Sequence, residues 1–308
     1  MGCSCERTEA ITEDDSAIFP ECRLSIPCEG QFNSILAYDS NHLILGGNCE
    51  LKMFDIKANE ISIISNDIGG RINCLIKLPD GTVASGGQDS KIIIWDIINK
   101  KILYTLEGHT SIIWDIKYVK ANMLISASDD NSSKIWNLKD KTSERFYSTR
   151  RHISCIAVLK NNKILLSLSK NLLLFDLETK EQEGFLEISV WSLKVLKNGD
   201  VAAGLCKGLL YIIEVKDEIK IKTEFAKGHN STINFIIELD NGKLVTSADE
   251  DNLILWDRNN PDSFYVIRGH EDKVYSLCLI EKNKFASSPK KIQISLSLKE
   301  VESLFTSP

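Results

Sequence analysis

The sequence predicts an all-β chain built from repeats, and three observations carry that prediction. Pairs of Ile, Val and Leu recur between Gly, Asn, Asp and Lys turns, while long helical periodicity is hard to find. A tetrapeptide returns seven times: an apolar residue, a variable one, a small or mixed one, then Ile or Leu. A second landmark, an apolar strand ending in an aromatic–acid pair or its relic, keeps phase with the first about 20 residues later.

The tetrapeptides are Phe32-Asn33-Ser34-Ile35, Ile72-Asn73-Cys74-Leu75, Ile113-Trp114-Asp115-Ile116, Ile153-Ser154-Cys155-Ile156, Val190-Trp191-Ser192-Leu193, Ile233-Asn234-Phe235-Ile236 and Val274-Tyr275-Ser276-Leu277. Their second residues are spaced by 40, 41, 40, 37, 43 and 41 positions. The second landmark is Phe54-Asp55, Trp95-Asp96, Trp136-Asn137, Phe175-Asp176, Ile213-Glu214 and Trp256-Asp257. Two blocks, GTVASGGQDSKIIIWDI (81–97) and GDVAAGLCKGLLYIIEV (199–215), align without a gap.

With Gly108-His109, Gly228-His229 and Gly269-His270 each preceding a strand, the chain resembles the WD-repeat family of β-propellers over residues 21–298. Arg151-His152 keeps the His without the Gly, three units have no His, and the last has Ser295 where Trp is expected. The resemblance implies a four-stranded blade per unit and a seven-bladed ring, with six or eight blades as the alternatives. An open array would leave an unpaired edge. The segment CRLSIP (22–27) sits where an outermost strand would precede the first repeat. It is expected to complete the last blade, as N-terminal strands do in this family. Residues 1–20 then form an acidic, disordered tail and 299–308 a C-terminal tail.

Ser126, Asp130 and His109 invite a catalytic reading, but such a set is recognised by geometry, which a sequence does not give. In WD-repeat proteins these positions, with the strand Trp, form a hydrogen-bonded network that supports the blade. Here the network would be His109, Ser126, Asp130 and Trp136, repeated as His229, Thr246, Glu250 and Trp256 with Glu for Asp. A constellation used twice reads as structure, since a buried indole N–H needs a partner. No metal-ligand spacing, P-loop or nucleophile-elbow motif occurs, so no metal, cofactor or small-molecule substrate is expected.

The second tetrapeptide residue mixes amides, a hydroxyl and aromatics: Asn33, Asn73, Trp114, Ser154, Trp191, Asn234 and Tyr275. Positions packed between blades would be uniformly apolar. In the resembled family the equivalent residue emerges on the top face beside the central channel, often at a bulge that re-aims it. Trp114, Trp191 and Tyr275 would then anchor a protein partner. The residue before the turn acid is a second family contact position, here Gln88 and Asp129.

The 308-residue chain carries a net charge of −6, the wrong sign for a nucleic-acid binder. No apolar run approaches the ~18 residues of a membrane span. Nine scattered cysteines favour reduced thiols and a cytoplasmic protein. The start, MGCSCER, resembles dually acylated N-termini, with Gly2 for myristate and Cys3 and Cys5 for palmitate. Glu6 departs from the Ser or Thr of the myristoylation pattern, and an unmodified tail is the alternative. The leading expectation is a non-enzymatic scaffold binding peptide segments or loops of other proteins on its top face, tethered to a membrane if acylated. One alternative is a propeller hydrolase with acids such as Asp115 at the channel mouth. The other is a phosphoinositide-binding propeller using Arg150 and Arg151, whose flanking Thr149 and His152 depart from that motif.

Overall fold

A computed structural model describes residues 24–26, 31–216, 218–268, 270, 272–281, 284–288 and 292–295. They form seven four-stranded sheets. Six sheets each take four consecutive strands. The first is Phe32–Ala37, His42–Gly47, Leu51–Asp55 and Glu60–Ser65, and the second Ile72–Lys77, Val83–Gly87, Ile92–Asp96 and Lys101–Leu106. The third is Ile113–Tyr118, Met123–Ser128, Ser132–Asn137 and Thr142–Ser148, and the fourth Ile153–Val158, Lys163–Leu168, Leu172–Asp176 and Gln182–Leu186. The fifth is Val190–Val195, Val201–Leu205, Leu210–Val215 and Ile219–Glu224, and the sixth Ile233–Glu238, Leu244–Ala248, Leu253–Asp257 and Asn260–Ile267. The remaining sheet joins Leu277–Glu281, Lys284–Ser287 and Ile292–Ser295 to Leu24–Ile26, with Leu24 opposite Ile294.

All pairings are antiparallel, meandering in the six consecutive-strand sheets, and the first strand of each of these, like Leu277–Glu281, lines a common central cavity. The fold is a β-propeller.

The core lies between sheets rather than within them. Side chains alternate across a strand, so a sheet sandwiched by neighbours must be apolar on both faces. Ile93 and Trp95 therefore pack toward the first sheet with Ile44 and Leu51, while Ile92 and Ile94 pack toward the third with Ile113 and Leu124. This explains why third strands read as unbroken apolar runs such as IIIW. Seven such clusters occur, one at each junction between neighbours. One of them sets Phe32, Ile35 and Phe54 of the first sheet against Cys278 and Ala286 of the sheet that joins both chain ends.

Neighbouring sheets approach closely where the second strand passes the next first strand. A Cβ at Gly86 would lie 2.6 Å from Ile116 Cδ1, and one at Gly204 would lie 2.6 Å from Ile233 Cγ2. The same slot holds Gly46, Ala127, Ser167 and Ser247 in the other consecutive-strand sheets, all small residues.

Candidate functional site

The tetrapeptide carries a bulge in each of the six consecutive-strand sheets. Strand register jumps from Phe32 to Ser34, Ile72 to Cys74, Ile113 to Asp115, Ile153 to Cys155, Val190 to Ser192 and Ile233 to Phe235. The skipped residue is the variable one. It has no partner across the ladder, so its side chain is free to turn out of the pleat. In the seventh sheet Tyr275 N donates to Ser288 O at 3.3 Å and Ser288 N to Ser276 O at 3.0 Å, just ahead of the strand. All seven variable residues line the open central cavity of about 910 Å³.

They do not offer themselves equally. Trp114 and Trp191 are half-buried and meet edge-to-face, with ring centroids 5.7 Å apart. Between their sheets stands Ser154, which leaves room for the two indoles to touch. Ser154 itself is only 7% exposed, and its hydroxyl lies 3.4 Å from Val190 O and 3.5 Å from Ser167 O. Its expected role as a surface contact is corrected accordingly: the side chain is too short to leave the bulge and faces backbone carbonyls instead. Asn73 is also partly occupied, donating from Nδ2 to Ile113 O at 3.0 Å and accepting from Arg71 Nε at 3.0 Å. Asn33 is half-buried, and its buried Oδ1 has no hydrogen-bond partner. Tyr275 is half-buried.

A second device recurs across the rim. Trp114 Nε1 donates to Asp129 Oδ1 at 2.7 Å, and Asn234 Nδ2 donates to Asp249 Oδ1 at 3.0 Å. Asp129 and Asp249 both stand immediately before a turn acid, so the phase that singled out Asp129 and Gln88 also points to Asp249. Gln88 is exposed but does not line the cavity.

Deeper in the channel, side chains link adjacent sheets. Asp115 Oδ2 accepts from Ile156 N at 2.9 Å, Ser276 Oγ accepts from Ile35 N at 3.2 Å, and Ser192 Oγ donates to Ile233 O at 2.7 Å. Asp115 also pairs with Lys117 at 2.7 Å. Lys194 faces the same channel, and among the described residues it has no carboxylate within salt-bridge distance. Desolvation by the channel walls lowers its pKa, and the nearby Lys117 charge adds to that.

The buried networks lie away from this opening. In the third sheet His109 Nδ1 sits 2.7 Å from Asp130 Oδ2, His109 Nε2 sits 2.6 Å from Ser126 Oγ, and Trp136 Nε1 donates to Ser126 Oγ at 2.8 Å. In the sixth sheet His229 Nε2 and Trp256 Nε1 converge on Thr246 Oγ1 at 2.7 and 2.8 Å. There the fourth member is displaced. Glu250 Oε2 is 3.6 Å from His229 Nδ1, which is left without a hydrogen bond, while Glu250 Oε1 accepts from Asn230 N at 2.5 Å much as Asp130 Oδ2 accepts from Thr110 N at 3.1 Å. Two further pairs were hidden in the sequence. Trp95 Nε1 donates to Ser85 Oγ at 2.8 Å with no His present, and His270 Nε2 lies 3.2 Å from Ser287 Oγ. Burial lowers the pKa of His109, His229 and His270, the last to about 4. With Ser126 Oγ 0% exposed, no reactant could reach a nucleophile there.

Gly2, Cys3, Cys5, the tails 1–20 and 299–308, and Gly269 lie outside the described residues. Arg150 and Arg151 are exposed, and Arg151 donates to Ser169 Oγ at 3.0 Å. No metal-binding cluster and no membrane-length apolar helix occur among the described residues.

Comparison with known proteins gives a consistent picture. The family described as "WD domain, G-beta repeat" matches residues 62–96 and 100–137. The chain is similar to cell division control protein 4 of Saccharomyces cerevisiae, at 27% identity over 67% of this chain and 24% of that protein. It is 36% identical to small ribosomal subunit protein RACK1 of Caenorhabditis elegans over 31% of this chain and 26% of that protein. The matches span no more than about a third of the length of the first curated relatives. In structure it resembles the WD40 β-propeller domain of Doa1, with a TM-score of 0.79 and 16% identity over 92% of this chain and 97% of that one.

Proposed function

For a chain that is a WD-repeat β-propeller protein, we propose a non-enzymatic scaffold that holds segments of other proteins at the channel mouth formed by the bulged residues. We take the seven sheets as its blades and 24–26 as the strand that closes the ring. The observation that carries the functional reading is the bulge itself. The same local irregularity recurs from sheet to sheet, delivers a side chain to one opening, and is filled with four residue types, Asn, Trp, Ser and Tyr. Packing alone would select one residue type. The half-buried indoles of Trp114 and Trp191 supply large area at low entropic cost, as interface anchors do.

Nothing favours the hydrolase alternative. Asp115, Glu238 and Asp249 line the cavity, but each accepts hydrogen bonds from its own chain, from Ile156 N, Lys197 N and Asn234 Nδ2. The Arg150–Arg151 doublet lies outside this opening; Arg151 lines a separate pocket of about 760 Å³ with Lys170 and Glu187, and Thr149 and His152 depart from the phosphoinositide motif. If Gly2, Cys3 and Cys5 are acylated, the scaffold works at a membrane surface, and one myristoyl chain alone would hold it only marginally.

The test is quantitative affinity capture from native cells, comparing the wild type with Trp114→Ala/Trp191→Ala/Tyr275→Ala after matching their melting curves. Specific partners lost from the triple variant would support the mouth as the binding site. Equal recovery would overturn it.

A further inference from the structure

The mouth is chemically lopsided, and that asymmetry points to the chemistry of its ligand. Three successive sheets contribute Trp114, the recessed Ser154 and Trp191. The sheets on either side of this trio contribute the amides of Asn73 and Asn234. The aromatic side is where Asp129 stands, its Oδ1 bound to Trp114 Nε1 at 2.7 Å.

We infer that the Trp114–Trp191 pair and Asp129 form a seat for a cationic side chain, Lys or Arg, presented by a protein segment. This assignment rests on the mouth being the binding site. Indole faces attract cations through the ring quadrupole, more strongly for Trp than for other aromatics. A carboxylate accepting the indole N–H pushes electron density into that ring. Asp129 itself does not line the cavity, but its charge stands directly behind the Trp114 ring, and among the described residues its second oxygen takes no hydrogen bond. An acidic side chain would meet Asp129 with the wrong sign, and an uncharged one would gain from the rings alone.

The depth of the seat is set by the strands that build it. Lys117 and Lys194 lie three residues below Trp114 and Trp191, roughly 10 Å at strand rise, and both face the channel. Lys117 is paired with Asp115, while Lys194 has no carboxylate within salt-bridge distance among the described residues and opposes a cation that sinks further. The ligand's positive group is thereby held at the rim, between the indoles and the carboxylate.

The experiment is selection on the full-length protein from randomised dodecapeptide libraries, followed by fluorescence titration of the recovered peptides. Selected sequences are expected to share a Lys or Arg at one fixed position. Replacing it by norleucine should weaken binding by about tenfold. Trp191→Ala and Asp129→Asn should each cause a comparable loss. Asp129→Asn keeps an acceptor for the Trp114 N–H and removes only charge, so its effect separates electrostatics from support of the ring. Peptides that need Trp191 but carry no cation, or that bind Asp129→Asn equally well, would overturn the cationic seat while leaving the mouth as the binding site. Peptides indifferent to Trp114, Trp191 and Tyr275 would overturn both.

Discussion

The third, sixth and seventh sheets run the same construction with one part changed each time. All three bury a His against a hydroxyl: His109 on Ser126, His229 on Thr246 and His270 on Ser287. Behind His109 stands Asp130 at 2.7 Å. Behind His229 stands Glu250, one methylene longer and 3.6 Å away. Twenty-one residues after His270, where the third and sixth sheets have their acid, the sequence has Lys291. The series teaches that the His–hydroxyl contact survives without the carboxylate. The acid tunes the network, and the apolar surroundings with the hydroxyl define it. In the second sheet even the His is missing, yet Trp95 keeps its bond to Ser85.

The largest effect should come from removing the part that the third and sixth sheets share without alteration. Trp136 and Trp256 are 1% and 0% exposed and lie in the clusters that join each sheet to its predecessor. Trp136→Ala and Trp256→Ala should each cost about 3–5 kcal/mol in denaturant unfolding. A large inequality between the two would mean the carboxylate matters more than the indole.

Acid should separate the seventh sheet from the third. His270 has its pKa depressed to about 4 by burial, opposed only by the more distant charge of Asp251. A neutral buried imidazole binds its proton less readily than the unfolded chain does, so stability is full above pH ~6.5 and falls as pH drops toward 4. That loss should approach ~3 kcal/mol at its limit. The melting temperature of His270→Gln should therefore fall less than that of the wild type over this window. Parallel curves would show that His270 is not the group responsible.

The smallest effect is the most direct test of the comparison. Glu250→Asp should let the carboxylate meet His229 Nδ1 and gain about 1 kcal/mol, while Asp130→Glu should lose a similar amount. Unfolding midpoints of the two single variants would show opposite shifts. Shifts of the same sign would mean that backbone geometry, and not side-chain length, sets the gap.

Much of this was legible in the sequence because a repeat reports its own architecture. Strand-forming runs, their phase and the variable position beside Ile35, Leu75 and Ile116 all follow from patterns along one chain. Glu250 was visible as a substitution, but its 3.6 Å gap to His229 Nδ1 was not, since that depends on how the longer side chain is placed. What stayed hidden sits between units. The contact of Trp114 with Trp191 depends on Ser154 being small, and the bond from Ile156 N to Asp115 crosses from one sheet to the next. The small residues Gly46, Gly86 and Gly204 could have been aligned as a third landmark. Their reason, the next sheet's Ile side chains, exists only once the sheets pack.

The touching indoles at the mouth have an optical consequence. Of the five tryptophans, Trp95, Trp136 and Trp256 are sealed in the core and tied to hydroxyls, while Trp114 and Trp191 are partly open and in mutual contact. Two indoles with ring centroids 5.7 Å apart and planes at 63° are close enough for their transition dipoles to couple as an exciton pair, which gives a signed couplet in the circular dichroism spectrum. Anything that wedges between the rings or shields them would change that couplet, so the protein carries its own label-free reporter of occupancy at the mouth.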